Sequence, residues 1–198
     1  KPFKEGYKRF KIKTVEGIDD YAMMKEIVRR RYEHLKDPTV PRPDLIISAL
    51  STTSTAIPPG GIFFLSNTAQ NQGGSSAGSF VIAFRLSSNT IYGDGDDIAF
   101  PTTRSVTALG VGATSTASTT LTVPTTTPLG SYYLCAKADS TNTVLEGDEG
   151  NNARCTTVTI QITRPDLLMT QVTPTASSVN AGAVLSVTNA VKNQGAVS

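Results

Sequence analysis

An internal repeat restricts the fold of this chain more than any other feature of its sequence. A shift of 122 residues aligns residues 43–76 with residues 165–198 without a gap, and ten of the 34 aligned positions are identical. Both copies begin with Pro-Asp-Leu, and both carry Asn-Gln-Gly close to their ends. A unit that recurs at this spacing has the size of a domain, so we expect tandem copies of one fold.

The pattern inside the repeat indicates an all-β fold. From residue 44 onward, short runs of β-branched and aromatic residues recur between clusters of Gly, Pro, Asn and Ser. Seven of these runs are predicted as strands, at residues 44–50, 61–70, 79–87, 98–106, 115–123, 131–138 and 153–162. Seven short strands in about 120 residues predict a mainly β, immunoglobulin-like or fibronectin III-like sandwich over residues 43–164. Residues 165–198 would form the first two strands of a partial second sandwich.

The N-terminal segment, residues 1–42, follows a different pattern. Residues 7–13 alternate apolar and basic side chains and are predicted as a strand. A helix should follow, with Asp19 or Asp20 as its N-cap and apolar positions at helical spacing, and prolines end it. One strand and one helix cannot enclose a core, so we expect this segment to come from another fold.

The net charge of the chain also differs between the two sides of residue 42. Residues 1–42 carry twelve Lys and Arg against seven Asp and Glu, whereas residues 43–198 carry six against nine. Net charges of +5 and −3 fit either a nucleic-acid-binding arm on a neutral domain or two unrelated segments that are joined. Arg29, Arg30 and Arg31 are the candidate nucleic-acid contacts, and the alternative is that they form the solvated face of a helix.

Two cysteines, Cys135 and Cys155, lie in neighbouring predicted strands. In a hairpin centred near Leu145 they come opposite each other and can form a disulfide, although two free buried thiols are the alternative. The composition is that of an exported protein, which favours the disulfide and an extracellular or cell-surface location for residues 43–198. The sequence shows neither a membrane-spanning apolar run nor a signal peptide, so we expect any export signal or anchor to lie outside this fragment.

Two acidic loops are candidate cation sites. Asp94, Asp96 and Asp97 lie in the sequence YGDGDD and could supply oxygen ligands to calcium, although an EF-hand would require an acidic residue where Ser105 stands. The second loop, residues 146–149, is placed at the opposite end of the sandwich by fibronectin-type strand order, so the two loops are not expected to share an ion. Solvated turn residues are the alternative for both loops. No other cofactor is predicted.

No catalytic set is predicted. The chain contains one His, which is far in sequence from any Ser-rich loop, and this argues against a Ser-His-Asp triad. The chain is therefore predicted not to be an enzyme. Its expected partners are a surface ligand or neighbouring repeats of the same chain, with weak DNA binding by residues 1–42.

Residues 43–164 resemble a CARDB module, the cell-adhesion-related domain found in bacteria. The matching stretches are PDLIISAL, NTAQNQGGSSAGSF, STASTTLTVPTTTPLGSYYL and ADSTNTVLEGDEGNNA. The resemblance implies an immunoglobulin-like sandwich that is arranged in arrays on secreted or surface proteins, with a role in adhesion or spacing. It implies no defined ligand. Residues 165–198 resemble the opening strands of the next copy.

Residues 1–46 resemble another family, the UvrC-type excinuclease subunit at the start of its RNase H-like nuclease domain. The similarity rests on YKRFKIKTVEGIDDYAMMKEIVRRRYEHL followed by PDLI. In that cytoplasmic family PDLI leads into Ile-Asp-Gly-Gly, whose Asp helps to hold the catalytic metal, but here residues 47–50 are Ile-Ser-Ala-Leu. The resemblance therefore implies an inactive nuclease fragment that is joined to an adhesion or spacer module at residues 43–46. We interpret this chimeric sequence as an assembly or recombination product of two unrelated coding sequences that share Pro-Asp-Leu-Ile. The alternatives are a natural fusion and a repair-endonuclease fragment that keeps only DNA-binding character.

Overall fold

The structure is a computed structural model that describes residues 20–34 and 40–197. The chain divides into two compact units, Lys1–Pro41 and Arg42–Ser198. The strand predicted over residues 7–13 and the possible N-cap at Asp19 lie outside the described residues. No helix within the described ranges has the length and apolar character needed to cross a bilayer.

The described part of the first unit is one helix, α1 (Asp20–His34), at the position that the apolar periodicity predicts. The side chains of Tyr21, Met24, Ile27 and Val28 are all about half exposed. The ammonium of Lys25 lies 5.0 Å from the ring centroid of Tyr21. The described apolar side chains of this helix are therefore about half open to solvent.

The second unit is mainly β. Its strands up to residue 164 are β1 (Leu45–Ser51), β2 (Ala56–Ile57), β3 (Ile62–Asn71), β4 (Phe80–Ser87), β5 (Ile98–Val106), β6 (Thr114–Thr122), β7 (Gly130–Lys137), β8 (Ala153–Cys155) and β9 (Ile160–Ile162). One sheet has the order β1-β3-β6, and the other has the order β2-β9-β7-β4-β5 with β8 also paired to β7. This arrangement is an immunoglobulin-like sandwich, as the sequence predicts.

Alternation along the strands builds the core between the two sheets. In β3, Phe63 and Leu65 are buried while Phe64 is exposed, which is the period-2 pattern of a strand with one covered face. Phe63 meets Phe100 of β5 edge to face, with ring centroids 5.8 Å apart. Burial of each such large apolar side chain stabilises the fold by about 1.5–3 kcal/mol relative to exposure.

A buried polar residue, Asn67, interrupts the apolar face of β3. Its amide nitrogen donates to the Thr119 hydroxyl at 2.9 Å, and its oxygen accepts from the Arg104 guanidinium at 2.8 Å. The same guanidinium donates to the Ser115 carbonyl at 3.1 Å. Because Arg104 belongs to β5 and its acceptors belong to β3 and β6, these bonds tie one sheet to the other.

The last predicted strand, residues 153–162, is in fact two strands, β8 and β9. Cys135 lies opposite Cys155, but Tyr132 lies opposite Ile160, so the register slips by two residues between β8 and β9. The cause is Thr156, whose backbone N–H donates to the Leu134 carbonyl at 2.8 Å while its hydroxyl accepts from the Leu134 N–H at 3.1 Å. A side chain that replaces a backbone acceptor interrupts the ladder in this way.

A second hairpin follows the sandwich, with strands β10 (Leu167–Pro174) and β11 (Val187–Asn193). Its register repeats that of β1 and β3 with the shift of 122 residues, since Leu45 pairs with Asn71 and Leu167 pairs with Asn193. The two hairpins differ in how deeply their apolar side chains are buried. Leu45 is fully buried, whereas Leu167 is 68% exposed. This hairpin therefore has the form of a domain start without a core around it.

Candidate functional site

A hydrogen-bonded clamp holds the start of the sandwich. The backbone N–H of Asp44 donates to the Asn71 side-chain oxygen at 3.1 Å, and the Gln72 side-chain amide donates to the Asp44 carboxylate at 2.8 Å. The Gly73 N–H donates to the same Asn71 oxygen at 3.0 Å. A Cβ on Gly73 would lie 2.5 Å from the Asp44 nitrogen, so this position requires glycine. We call Asp44, Asn71, Gln72 and Gly73 the start-of-domain clamp.

The same clamp recurs in the second hairpin. Asp166 donates its backbone N–H to the Asn193 side-chain oxygen at 3.0 Å, and the Gln194 side chain donates to the Asp166 carboxylate at 2.7 Å. Gly195 donates to Asn193 at 2.9 Å, and a Cβ on it would lie 2.6 Å from the Asp166 nitrogen. All four positions belong to the ten identical residues of the repeat, so the clamp accounts for part of the repeat signal in the sequence.

A loop before β8 closes over the first clamp, and Glu146 is its central residue. Glu146 is 2% exposed and accepts hydrogen bonds from the Leu45 backbone N–H and, at 2.7 Å, from the Asn152 side chain. Burial raises the pKa of Glu146 to about 7. Next to it, the Asn151 side chain donates to the Asp44 carboxylate at 2.9 Å. Glu146 is thus not the solvated turn residue that the loop sequence suggests.

The other acidic loop brings its three carboxylates together. One ligand oxygen of each of Asp94, Asp96 and Asp97 lies within 4.8 Å of the others. This is the one grouping of three or more acidic, His or Cys side chains of that kind within the described residues. The pKa of Asp96 is lowered by its interaction with the Asp94 side chain and by hydrogen bonds from the hydroxyl and the backbone N–H of Ser88.

Arg85 of β4 anchors this loop. Its guanidinium lies 3.6 Å from the Asp97 carboxylate, and it stacks over the Tyr92 ring at 4.9 Å from the centroid. Arg85 alternates with the buried residues Phe84 and Leu86, so its side chain lies on the outer face of the sheet. The loop therefore folds back over that outer face.

The two acidic loops leave opposite ends of the β4–β7 pair, as fibronectin-type strand order predicts, since Ser87 lies opposite Tyr133 and Lys137 lies opposite Ala83. Their tips nevertheless approach each other. Tyr92 from the first loop and Glu149 from the second line one open groove, together with Lys137 and Asn152. Strand order alone places the loops apart. The back-folding of Tyr92 over Arg85 brings them to the same groove on the outer face of the sheet.

Of the other site residues that the sequence singles out, the structure describes the side chains of the two cysteines and of Arg29. Cys135 and Cys155 face each other in β7 and β8 and form a disulfide. Arg29 forms an exposed ion pair with Glu26 at 2.7 Å, one turn earlier on the helix. The side chains of Arg30 and Arg31 lie outside the described part of the chain.

Two family models match the chain. The CARDB model matches residues 42–156, and the model of the UvrC RNase H endonuclease domain matches residues 1–48. Curated relatives named UvrABC system protein C, from strains of Streptococcus thermophilus, are 57% identical over 47 residues. That match covers 24% of this chain and 8% of the relatives, so the chain spans a small part of their length.

Solved structures similar to the chain include the CARDB domain of the Pyrococcus furiosus protein PF1109 in complex with di-metal ions. It is 20% identical, with a TM-score of 0.44, and covers 62% of this chain and 90% of that one. A domain of a Methanosarcina acetivorans protein that is described as a cell surface protein is 24% identical, with a TM-score of 0.43. The match covers 62% of this chain and 93% of that one. A β-glucosidase from Listeria innocua, in complex with glucose, is 14% identical, with a TM-score of 0.35 and coverages of 62% and 16%.

Proposed function

The chain belongs to the CARDB family, and from that premise we propose that residues 43–164 form a non-catalytic adhesion or spacer module in an extracellular tandem array of β-sandwiches. The observation that carries the proposal is the recurrence of the start-of-domain clamp at Asp166, 122 residues after Asp44. A hydrogen-bonded start that recurs at a fixed spacing supports an array whose copies begin in the same way.

The disulfide supports the proposed location. Cys135 and Cys155 are bonded across neighbouring strands, and disulfides of this structural kind persist in oxidising compartments outside the cytoplasm. Neighbouring copies of the domain are the proposed partners along the array. A surface ligand would bind through exposed loops, and the groove between Tyr92 and Glu149 is the candidate surface for it.

The connection between copies suits a spacer. Strand β9 ends at Ile162 and β10 begins at Leu167, so Thr163–Asp166 form the whole connection. Pro165 restricts this segment further, because its ring fixes one backbone dihedral. A short connection of this kind allows little freedom between successive copies. Each copy in such an array would add a fixed length between the two ends of the protein.

The sandwich also has a geometry that resists pulling at its ends. The chain enters through β1, crosses to the other sheet as β2, and leaves through β9, which is parallel to β2. Gln161 donates its N–H to the Thr55 carbonyl at 2.8 Å, and Thr163 donates to the Ile57 carbonyl at 3.1 Å. A pull on the two ends acts along this parallel pair and strains both bonds at the same time. Antiparallel strands pulled from one end would separate one bond after another.

Single-molecule force spectroscopy of the full chain, held by its two termini, tests the spacer role. We expect the sandwich to unfold in one step, and at a lower force in Thr163→Pro, which removes the N–H that reaches Ile57. Thr163→Val is the matched control, because it keeps the N–H and changes only the side chain. Gradual extension at low force, or equal unfolding forces for Thr163→Pro and Thr163→Val, would count against a spacer.

We also propose that residues 1–42 are an inactive nuclease fragment that is joined to the module at Pro-Asp-Leu-Ile, residues 43–46. The division of the chain between Pro41 and Arg42 supports a boundary at this place. The half-exposed apolar side chains of α1 support a helix that has been separated from its original sheet. Sequencing one long DNA molecule across the codons for residues 43–46 tests the join, because an unbroken reading frame in the source genome would show a natural fusion.

A further inference from the structure

The acidic loop after β4 contains buried carboxylate oxygens that have no partner. The Asp97 side chain is fully buried. One of its oxygens accepts from the Gly93 N–H at 2.6 Å and faces Arg85, while the other, Oδ1, is buried without any hydrogen-bond donor. Asp94 repeats this division, because its Oδ2 accepts from the Asn89 side chain at 2.8 Å and its Oδ1 is buried without a donor.

Such oxygens are costly unless a positive group meets them. A carboxylate oxygen that is buried without a donor loses its hydrogen bonds to water and gains no protein hydrogen bond in their place. Here two of them belong to a group of three like charges whose ligand atoms lie within 4.8 Å of one another. The Arg85 guanidinium contacts the group at Asp97, and its single positive charge leaves an excess of negative charge on the three carboxylates.

We propose that Asp94, Asp96 and Asp97 bind a divalent cation, and that the cation is calcium. The ligand atoms are all carboxylate oxygens, which favours a hard cation over zinc or copper. Calcium accepts six to eight oxygens in irregular geometry, so water and backbone carbonyls can complete its shell in an open loop. Magnesium requires a regular octahedron and keeps most of its own water, and it binds here more weakly. This assignment does not depend on the adhesion or spacer role.

The bound ion would fix one wall of the groove. Asp94, Asp96 and Asp97 closely follow Tyr92 in the chain, and the Tyr92 ring lies over Arg85 and lines the groove with Glu149. An ion that joins the three carboxylates holds this turn in one conformation. Calcium thereby orders the surface that would meet a ligand.

Terbium and calcium titrations of the full chain test the site. Terbium has nearly the same size and ligand preference as calcium, and a tyrosine close to it sensitises its emission. We expect terbium emission on excitation of tyrosine, displacement of terbium by calcium, and much weaker emission in Tyr92→Phe with little change in calcium affinity. By calorimetry the dissociation constant for calcium should lie at about 10⁻⁴–10⁻³ M, the range of extracellular modules.

Variants that each remove one carboxylate charge distinguish a cation site from a turn that binds no ion. Asp94→Asn and Asp96→Asn should each weaken calcium binding by at least about tenfold and should abolish the rise in melting temperature that calcium causes. Without calcium, neither variant should melt below the unaltered chain, since each relieves repulsion between like charges. Asp148→Asn, in the other acidic loop, is the matched control and should bind calcium as before. The proposal is overturned if about 10 mM calcium produces neither heat nor a shift beyond that of sodium at equal ionic strength, or if Asp148→Asn weakens binding as much as Asp94→Asn.

Discussion

Glu146 accepts a hydrogen bond from the backbone N–H of Leu45, which joins the loop before β8 to the first residue of β1. The two residues are 101 positions apart in the chain, so the bond depends on tertiary structure. The carboxyl group that makes it is buried, and burial raises its pKa to about 7. Stability should therefore depend on pH through this one side chain.

The first prediction concerns that pH dependence. The folded state holds the Glu146 proton more tightly than the unfolded chain, whose Glu pKa is near 4.5. The resulting stability is fully present below pH 4.5 and is lost as the pH rises through 7, by at most about 3 kcal/mol. In Glu146→Gln the amide cannot ionise, and Asn152, whose side-chain oxygen is buried without a partner, can turn to accept from it. Urea unfolding between about pH 5 and 8 should show a flatter profile for this variant.

The control for that experiment is Asp148→Asn, an exposed residue of the same loop, which should keep the pH profile of the unaltered chain. Equal slopes for Glu146→Gln and the unaltered chain would mean that another group carries the pH dependence.

The second prediction compares two equivalent asparagines. Asn71→Ala removes the acceptor for the Asp44 and Gly73 N–H groups and the donor to the Leu109 carbonyl in a fully buried site. The free energy of unfolding should fall by about 3 kcal/mol, because several buried partners are left unsatisfied. Asn193→Ala makes the same change in the exposed second hairpin and should leave the unfolding of the sandwich unchanged. A comparable loss in both variants, measured by urea denaturation, would contradict this assignment.

The third prediction concerns the disulfide. Cys135 and Cys155 close a loop with a sequence separation of 20 residues, and such a loop restricts the unfolded chain by about 3 kcal/mol on the entropy model. Reduction should lower the melting temperature and leave the β-sandwich circular dichroism spectrum in place. A Cys135→Ala/Cys155→Ala variant should not respond to reductant. Two thiols that react with a thiol reagent in the oxidised, unfolded protein would show that the bond is absent.

The fourth prediction is that the chain does not incise DNA with magnesium or manganese. At the position of the metal-binding Asp in the similar nuclease family, this chain has Ser48 of β1, whose neighbour Ile47 is 3% exposed in the sandwich core. Weak binding of DNA by the basic N-terminal segment is compatible with this prediction and should weaken steeply as salt is added. Metal-dependent cleavage of damaged duplex by the purified chain would refute it.

The strands are predictable from the sequence because apolar and polar residues alternate along them, as buried and exposed side chains do in the structure. Six of the seven predicted strands, such as residues 98–106, agree with the structure to within about one residue at each end. The two-residue strand β2 is too short to give a pattern, and the break between β8 and β9 depends on the side-chain hydroxyl of Thr156, which alternation does not register. Local pattern therefore predicts strands, but not the side-chain bonds that interrupt them.

The site residues divide in the same way. The cysteines and the cluster at Asp94–Asp97 can be found from spacing along the chain. The burial of Glu146 cannot, because the sequence LEGDEGNN is typical of a solvated turn and its bonding partner Leu45 lies far away in the chain. The signal that does mark the clamp is the repeat itself, since Asp44, Asn71, Gln72 and Gly73 all recur after 122 residues.

The sandwich should be a complete domain, and the unfolding of residues 42–164 alone tests this most directly. Arg42 is included because its carbonyl accepts from the Gly74 N–H at 2.8 Å. We predict one cooperative transition with a free energy of about 6–18 kcal/mol, with the same midpoint as the sandwich transition of the full chain. Limited proteolysis of the full chain should leave a core close to this span. If the polypeptide of residues 42–164 does not fold cooperatively without residues 1–41, the N-terminal segment is part of the domain and the proposed boundary between two unrelated segments is wrong.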